Sequence, residues 1–183
     1  MSGLLDVLTT PQQLQLIYIG YFGRAADYVG FDFWAGQNEG AQTRGQSSED
    51  ALKNIANAFT PQSETAALYP FLGVGLQFPV VDPATLNNIS GFVADVYANL
   101  FGRQPDESGR AYWIEQIASG RVLLGEAILT IANGAQEPDA TVLRNKIFVA
   151  QSFTEQTQAA GIDPSHGSSP EFLAAAHLVL QGI

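Results

Sequence analysis

The side chains able to do chemistry are few, and their spacing decides what they suit. His166 and His177 are the only histidines and cysteine is absent, so disulfides, thiolate metal sites and cysteine nucleophiles are excluded. Two histidines without H-x-x-x-H spacing make a poor zinc site, and His177, on an Ala/Leu-rich stretch, reads as a packed residue. The sequence has no G-x-S-x-G elbow, P-loop, H-E-x-x-H or Rossmann glycine fingerprint. A carboxylate pair such as Glu137/Asp139 is too common to mark a glycosidase. Calcium needs oxygens spread through a loop with a glycine turn. Asp106-Glu107-Ser108, and Asp163-Pro164-Ser165 with Glu171, supply oxygens without EF-hand spacing, and no Gly/Asp nonapeptide array is present. Capping is the better reading of Asp106, and no cofactor is expected. What remains is recognition by stacking and hydrogen bonding, for which Trp34, Trp113 and Tyr28 are the aromatic residues to weigh against a packing role.

The elements that must position these residues are organised by an internal repeat. Residues 16–37 read LIYIGYFGRAADYVGFDFWAGQ, and residues 95–116 read DVYANLFGRQPDESGRAYWIEQ. They agree at Tyr18/Tyr97, Phe22/Phe101, Gly23/Gly102, Arg24/Arg103, Asp27/Asp106, Gly30/Gly109, Phe33/Tyr112, Trp34/Trp113 and Gln37/Gln116, all at one offset of 79 positions and without a gap. Each unit reads as helix, loop, helix. Phe92, Val93, Val96, Tyr97, Leu100 and Phe101 recur at helical spacing and give one buried stripe. Gly102 stops that helix in the left-handed conformation, and Asp106 caps the next. In the first unit Thr10-Pro11-Gln12-Gln13 is a capping box with an early proline. Leu14, Ile17, Tyr18 and Tyr21 carry its stripe to Gly23, and Asp27 caps a helix running toward Gln37.

Further helices are expected from Ser47 or Ser48 to Ala58, over 84–101 behind an Asp82-Pro83 cap with a bend near Gly91, and over Val122–Asn133. Others follow over 140–160 behind an Asp139 cap, and from Phe172 to Gln181 behind Ser169-Pro170. The stretch 70–81 (PFLGVGLQFPVV) is too broken by Gly and Pro for a helix and is expected to run extended. No set of period-2 strands recurs. The fold class is therefore all-α, a compact helical domain of two related helix–loop–helix units without substantial sheet. The first unit is 1–69, the connecting segment 70–81, and the second unit with its C-terminal helices 82–183.

Duplicated residues read as scaffold. Trp34 and Trp113, with Phe33 and Tyr112 before them, are expected to fill the joint between the helices. Arg24 with Asp27, and Arg103 with Asp106, are expected to hold the loop by charge-assisted hydrogen bonds. Recognition is then sought where the units differ. Tyr28 stands where the second unit has Glu107, a slot that tolerates charge, so Tyr28 is expected to face solvent. With Asp32, Gln37 and Asn38 near it, it would stack on a sugar ring.

Composition narrows the setting. The formal net charge is −10, which disfavours nucleic acid and anionic lipid. No run of about 18 apolar residues exists for membrane insertion, and the start MSGLLDVLTTPQQ lacks the basic region of a signal peptide. Lysine occurs only as Lys53 and Lys146 among abundant Gly, Ala, Gln, Ser, Thr and Asn. Such a cysteine-free, lysine-poor acidic chain fits one-step export from a Gram-negative cell as well as it fits the cytosol.

The pattern G-R-x-x-D-x-x-G-x-x-[FY]-W between two helices resembles the family called domain of unknown function 4214. The second copy matches better, with Phe101-Gly102-Arg103-Gln104-Pro105-Asp106, Gly109 and Tyr112-Trp113; the first has Ala26 where proline is usual. Phe59–Glu64 (FTPQSE) and the stretch ILTIANGAQEPDATVLRNKIFVAQSFTEQTQAAG also look like family segments. The resemblance implies an extracellular or cell-surface bacterial setting, in surface-layer proteins, calcium-repeat exoproteins, adhesins or phage-related fibres, reached without an N-terminal signal peptide. The expected function is a non-catalytic binding or anchoring module for cell-surface polysaccharide, lipopolysaccharide or capsule. The alternative is an assembly module that contacts neighbouring protein domains or copies of itself. A third reading, a hydrolase or lyase on extracellular polymer, requires acids of raised pKa in a cleft.

Overall fold

The computed structural model describes residues 3–162 and 169–183; Asp163, Pro164, Ser165 and His166 lie outside them. The described residues form nine α-helices and no strand, so the fold is all-α. The helices are α1 Thr10–Phe22, α2 Tyr28–Thr43, α3 Ser48–Ala58, α4 Ser63–Leu68, α5 Pro83–Phe101, α6 Glu107–Ala118, α7 Leu124–Asn133, α8 Asp139–Ala159 and α9 Pro170–Leu178, with 3-10 turns at Leu4–Val7 and Pro70–Val74.

Local chemistry sets most helix ends. Thr9 caps α1, its backbone N–H donating to Gln12 Oε1 at 3.0 Å. The box thus sits one residue ahead of the Thr10 start read from sequence. Ser47, Asp82 and Ser169 cap α3, α5 and α9 through backbone N–H groups three residues on. Asp139 is the first residue of α8 rather than its cap, which is Pro138. Helix α2 continues past Gln37 to Thr43 despite Gly36 and Gly40. The six-residue α4 is too short to show a period, and the sequence signals missed it. The connecting stretch opens with a 3-10 turn instead of running extended, and its Val80 N–H donates to Ala118 O at the end of α6 (2.7 Å).

Helix α1 is the centre of the molecule. From Leu14 to Phe22 every residue is buried, not only the stripe expected of an amphipathic helix, because α5, α8, α2 and α7 all pack around it. Its one buried amide is satisfied: Gln15 Nε2 donates to Thr154 Oγ1 at 2.8 Å and Gln15 Oε1 accepts from Ala26 N–H at 3.1 Å. Helix α1 lies against α5 and α3 against α7, so a single core draws residues from both 1–69 and 82–183. At the α3–α7 crossing Gly125 has no side chain to hold the helices apart, and an added Cβ would lie 2.4 Å from the Ala56 carbonyl carbon.

Candidate functional site

The two elbows are built alike from their residues upward. Gly23 (φ 62°) and Gly102 (φ 68°) close α1 and α5 in the left-handed region, with N–H bonds back to Ile19 O and Ala98 O. Asp27 Oδ1 accepts from Gly30 N–H, and Asp106 Oδ1 from Gly109 N–H, each at 2.7 Å. The tyrosine of the first helix requires the glycine of the second in the first elbow but not in the second. A Cβ on Gly30 would lie 2.4 Å from the Tyr18 hydroxyl, and one on Gly109 would lie 3.7 Å from that of Tyr97. Trp113 is 8 % exposed and its indole N–H donates to Tyr97 OH at 3.2 Å. Trp34, half-buried, lies 4.8 Å from the Phe59 ring. The arginines stack on the first-helix aromatics, Arg24 Cζ 5.2 Å from the Tyr18 centroid and Arg103 Cζ 5.5 Å from that of Tyr97.

The ion pairs differ from those read from sequence. Arg103 pairs with Asp139, its Nε donating at 3.0 Å, not with Asp106. Arg24 makes a two-pronged pair with Glu64 at 2.8 and 2.7 Å, leaving Asp27 at 3.8 Å. In each elbow the cap aspartate faces its own helix N-terminus, and the guanidinium crosses to an acid in the first turn of a later helix, α4 or α8. An acid there also meets the positive end of that helix dipole.

The caps make stability sensitive to acid. The Gly109 N–H, helped by the Ser108 hydroxyl, holds the Asp106 carboxyl below the ordinary carboxylate range. A carboxyl depressed in the folded state contributes stability above its unfolded pKa of about 3.9, lost as pH falls through the folded value. The melting temperature is expected to drop below about pH 4, and Asp106→Asn to shallow that slope while lowering the neutral-pH value. Circular-dichroism melts across pH check this, and identical slopes would rule out the cap as a contributor.

The four residues read as a ligand cluster do not converge. Tyr28 does not face solvent freely: it is half-buried and its hydroxyl donates to Ile162 O at 2.9 Å. Asp32, one turn on, accepts from Gln158 Nε2 at 3.1 Å. Both lean on the C-terminal end of α8 and beyond. Gln37 is exposed, whereas Asn38 is 4 % exposed, with Oδ1 lacking a partner among the described residues. Phe33 and Tyr112 also depart from expectation. Only the tryptophans enter the joint; Phe33 is 56 % and Tyr112 54 % exposed, each edge-on to its tryptophan at 78°. His177 is exposed rather than packed, its Nδ1 3.1 Å from Gly23 O.

Open clefts lie elsewhere. One, of about 710 Å³, runs between the Leu5–Gln13 arm, α3 and α7. Many of its polar groups serve the fold: Asn133 Oδ1 accepts from Leu5 N–H, Gln13 Nε2 donates to Leu5 O, and Lys53 pairs with Glu49. A groove of about 360 Å³ between α5 and residues 68–71 carries Asn87, Asn88 and Asp95. Sequence reasoning did not single these out, although their spacing places them on one face of α5. Among the described residues no three His, Asp or Glu side chains come together as metal ligands, and no helix is long and apolar enough to cross a membrane. No curated protein and no solved structure matches the chain. Residues 86–137, which take in most of α5, the second elbow and α7, match the family model described as Domain of unknown function (DUF4214).

Proposed function

We propose that this chain is a non-catalytic, secreted or cell-surface-associated module that binds cell-surface polysaccharide, and that its two elbows are copies of one unit. The observation that carries the binding reading is a division of labour among polar groups. The polar groups of the motif are engaged by the fold, the arginines with Glu64 and Asp139, the aspartates with the Gly30 and Gly109 N–H groups and the Trp113 indole with Tyr97, while open clefts are lined by amides, hydroxyls and carboxylates beside leucine, proline and phenylalanine. Sugars offer hydroxyls on their rims and C–H faces on their rings, and such mixed linings suit both. The resemblance to the family matched over 86–137 supports the surface setting, and the lysine-poor, amide-rich composition is compatible with it. Common descent of the elbows is supported by the matched caps and stacks, and by Asn99 Nδ2 donating to Gly20 O across positions that are counterparts at the repeat offset. Titration calorimetry against purified lipopolysaccharide, capsule and neutral polymers tests the binding. A blank across the whole panel removes it.

The second reading, a structural assembly module, is favoured by Phe33 and Tyr112, which present exposed aromatics at matching places on the two elbows. It predicts oligomers in light scattering that dissociate in the Phe33→Ala, Tyr112→Ala double variant.

A further inference from the structure

The polar face of α5 carries a row of side chains that the fold does not use. Asn87, Asn88, Gly91 and Asp95 follow one another along it and are all exposed. Opposite stands a wall made by Leu68, Pro70 and Phe71, with Tyr69 and Phe92 at the floor. Leu68 is 54 % exposed, an apolar side chain left facing the polar row. The side chains of Asn87 and Asn88 make no hydrogen bond among the described residues. Asp95 has the Tyr69 hydroxyl beside it and no ion-pair partner among the described residues. Partial burial pushes its carboxyl above the usual carboxylate range. Two amides and a carboxylate therefore stand with unused capacity along one rim.

Gly91 sits at the middle of that rim. A Cβ there would meet nothing within 4 Å, so packing does not call for glycine, and an interior glycine weakens a helix relative to alanine. Its effect is to leave the groove open at its centre. The volume is at the small end of ligand sites, which begin near about 300 Å³. Among the described residues no lysine or arginine lines the groove, and a lone carboxylate repels anions, so phosphate and uronate are poor occupants.

We infer that the groove between α5 and residues 68–71 is a binding site for an uncharged pyranose unit of a polysaccharide, with Asn87, Asn88 and Asp95 taking its hydroxyls and Leu68, Pro70 and Phe71 its C–H face. This rests on the polysaccharide reading and assigns it a place and a sugar class. Among the described residues a single carboxylate lines the groove, and the two-carboxylate arrangement of sugar hydrolysis is not found among them there.

The test is native affinity electrophoresis of the full chain in gels containing mannan, dextran, galactan or, as the acidic comparison, alginate. The variants are Gly91→Leu, which fills the groove where space is free, Asp95→Asn, and Tyr28→Ala. The wild type is expected to be retarded by at least one neutral polymer. Gly91→Leu and Asp95→Asn are each expected to weaken that binding about tenfold or more, the size of losing a charged hydrogen bond or its room. Tyr28→Ala should bind as the wild type does, and melting curves should show all three variants folded. Retardation by a neutral polymer that survives both groove variants overturns the site and leaves the polysaccharide reading standing. Retardation by alginate alone overturns the sugar class. No retardation by any polymer removes the inference, and the reading itself falls only if the lipopolysaccharide and capsule titrations are also blank.

Discussion

Alanine at Gly125 is expected to lower the melting temperature by about 6–12 °C, from about 3 kcal/mol of lost stability at the steep end of overpacking effects. The methyl group would lie 2.4 Å from both C and O of Ala56 and 2.6 Å from Asn57 N. These are backbone atoms of α3, so no side chain can rotate aside and the two helices must separate. Separation strips contact from Ala56, Ala127 and Ile128, all fully buried. Gly91→Ala is the control, since the added methyl enters empty space and helix propensity favours alanine by up to about 1 kcal/mol. It should melt at or slightly above the wild type. If Gly125→Ala melts with it, the close α3–α7 approach is wrong.

The second large effect separates the two arginines. Arg24 is 2 % exposed, stacks on Tyr18 and Phe22, donates to Ala25 O at 2.8 Å and grips Glu64 with two prongs. Alanine there leaves Glu64 and Asp27 facing each other without the cation, and the loss should reach about 3–5 kcal/mol. Arg103 occupies the equivalent place, but its side chain is 48 % exposed, so water screens the pair with Asp139 and Arg103→Ala should cost about 1 kcal/mol or less. Arg24→Lys keeps the charge without the fork and should fall between Arg24→Ala and the wild type. Urea midpoints at one ionic strength measure all three. Equal losses at Arg24 and Arg103 would refute the assigned difference.

What the sequence made legible was local chemistry. Gly23 and Gly102 end α1 and α5, and Asp27 and Asp106 cap α2 and α6 through N–H groups three residues on, because a cap and its donor lie within one turn and leave a residue pattern. The all-α class followed from the same signals. Less legible was whatever depends on distant partners. Nothing near Arg103 in the chain points to Asp139, and the preference of Arg24 for Glu64 over the nearer Asp27 appears only once α4 is in place. Periodicity assigned α1 a single buried stripe because it does not report how many neighbours a helix has; Leu16 and Ile19 are at 0 % exposure all the same. The choice of Thr10 over Thr9 as cap was between two identical residues.

The sites show the same limit. Tyr28, Asp32, Gln37 and Asn38 are close in sequence, but the helix turns Asn38 away from Tyr28 and Asp32, and the end of α8 meets that pair. The α5 groove was half legible. Its polar row lies on one helix, whereas its apolar wall comes from residues 68–71 and is brought opposite only by the fold.

The match over 86–137 has edges that fall inside one shared interior. Helix α5 needs α1 and α8 against it, and α7 needs α3. The matched stretch, excised alone, would therefore be a torn surface rather than a miniature of the protein. The border of a recognisable sequence is here no border of cooperativity: the two halves hold or melt together.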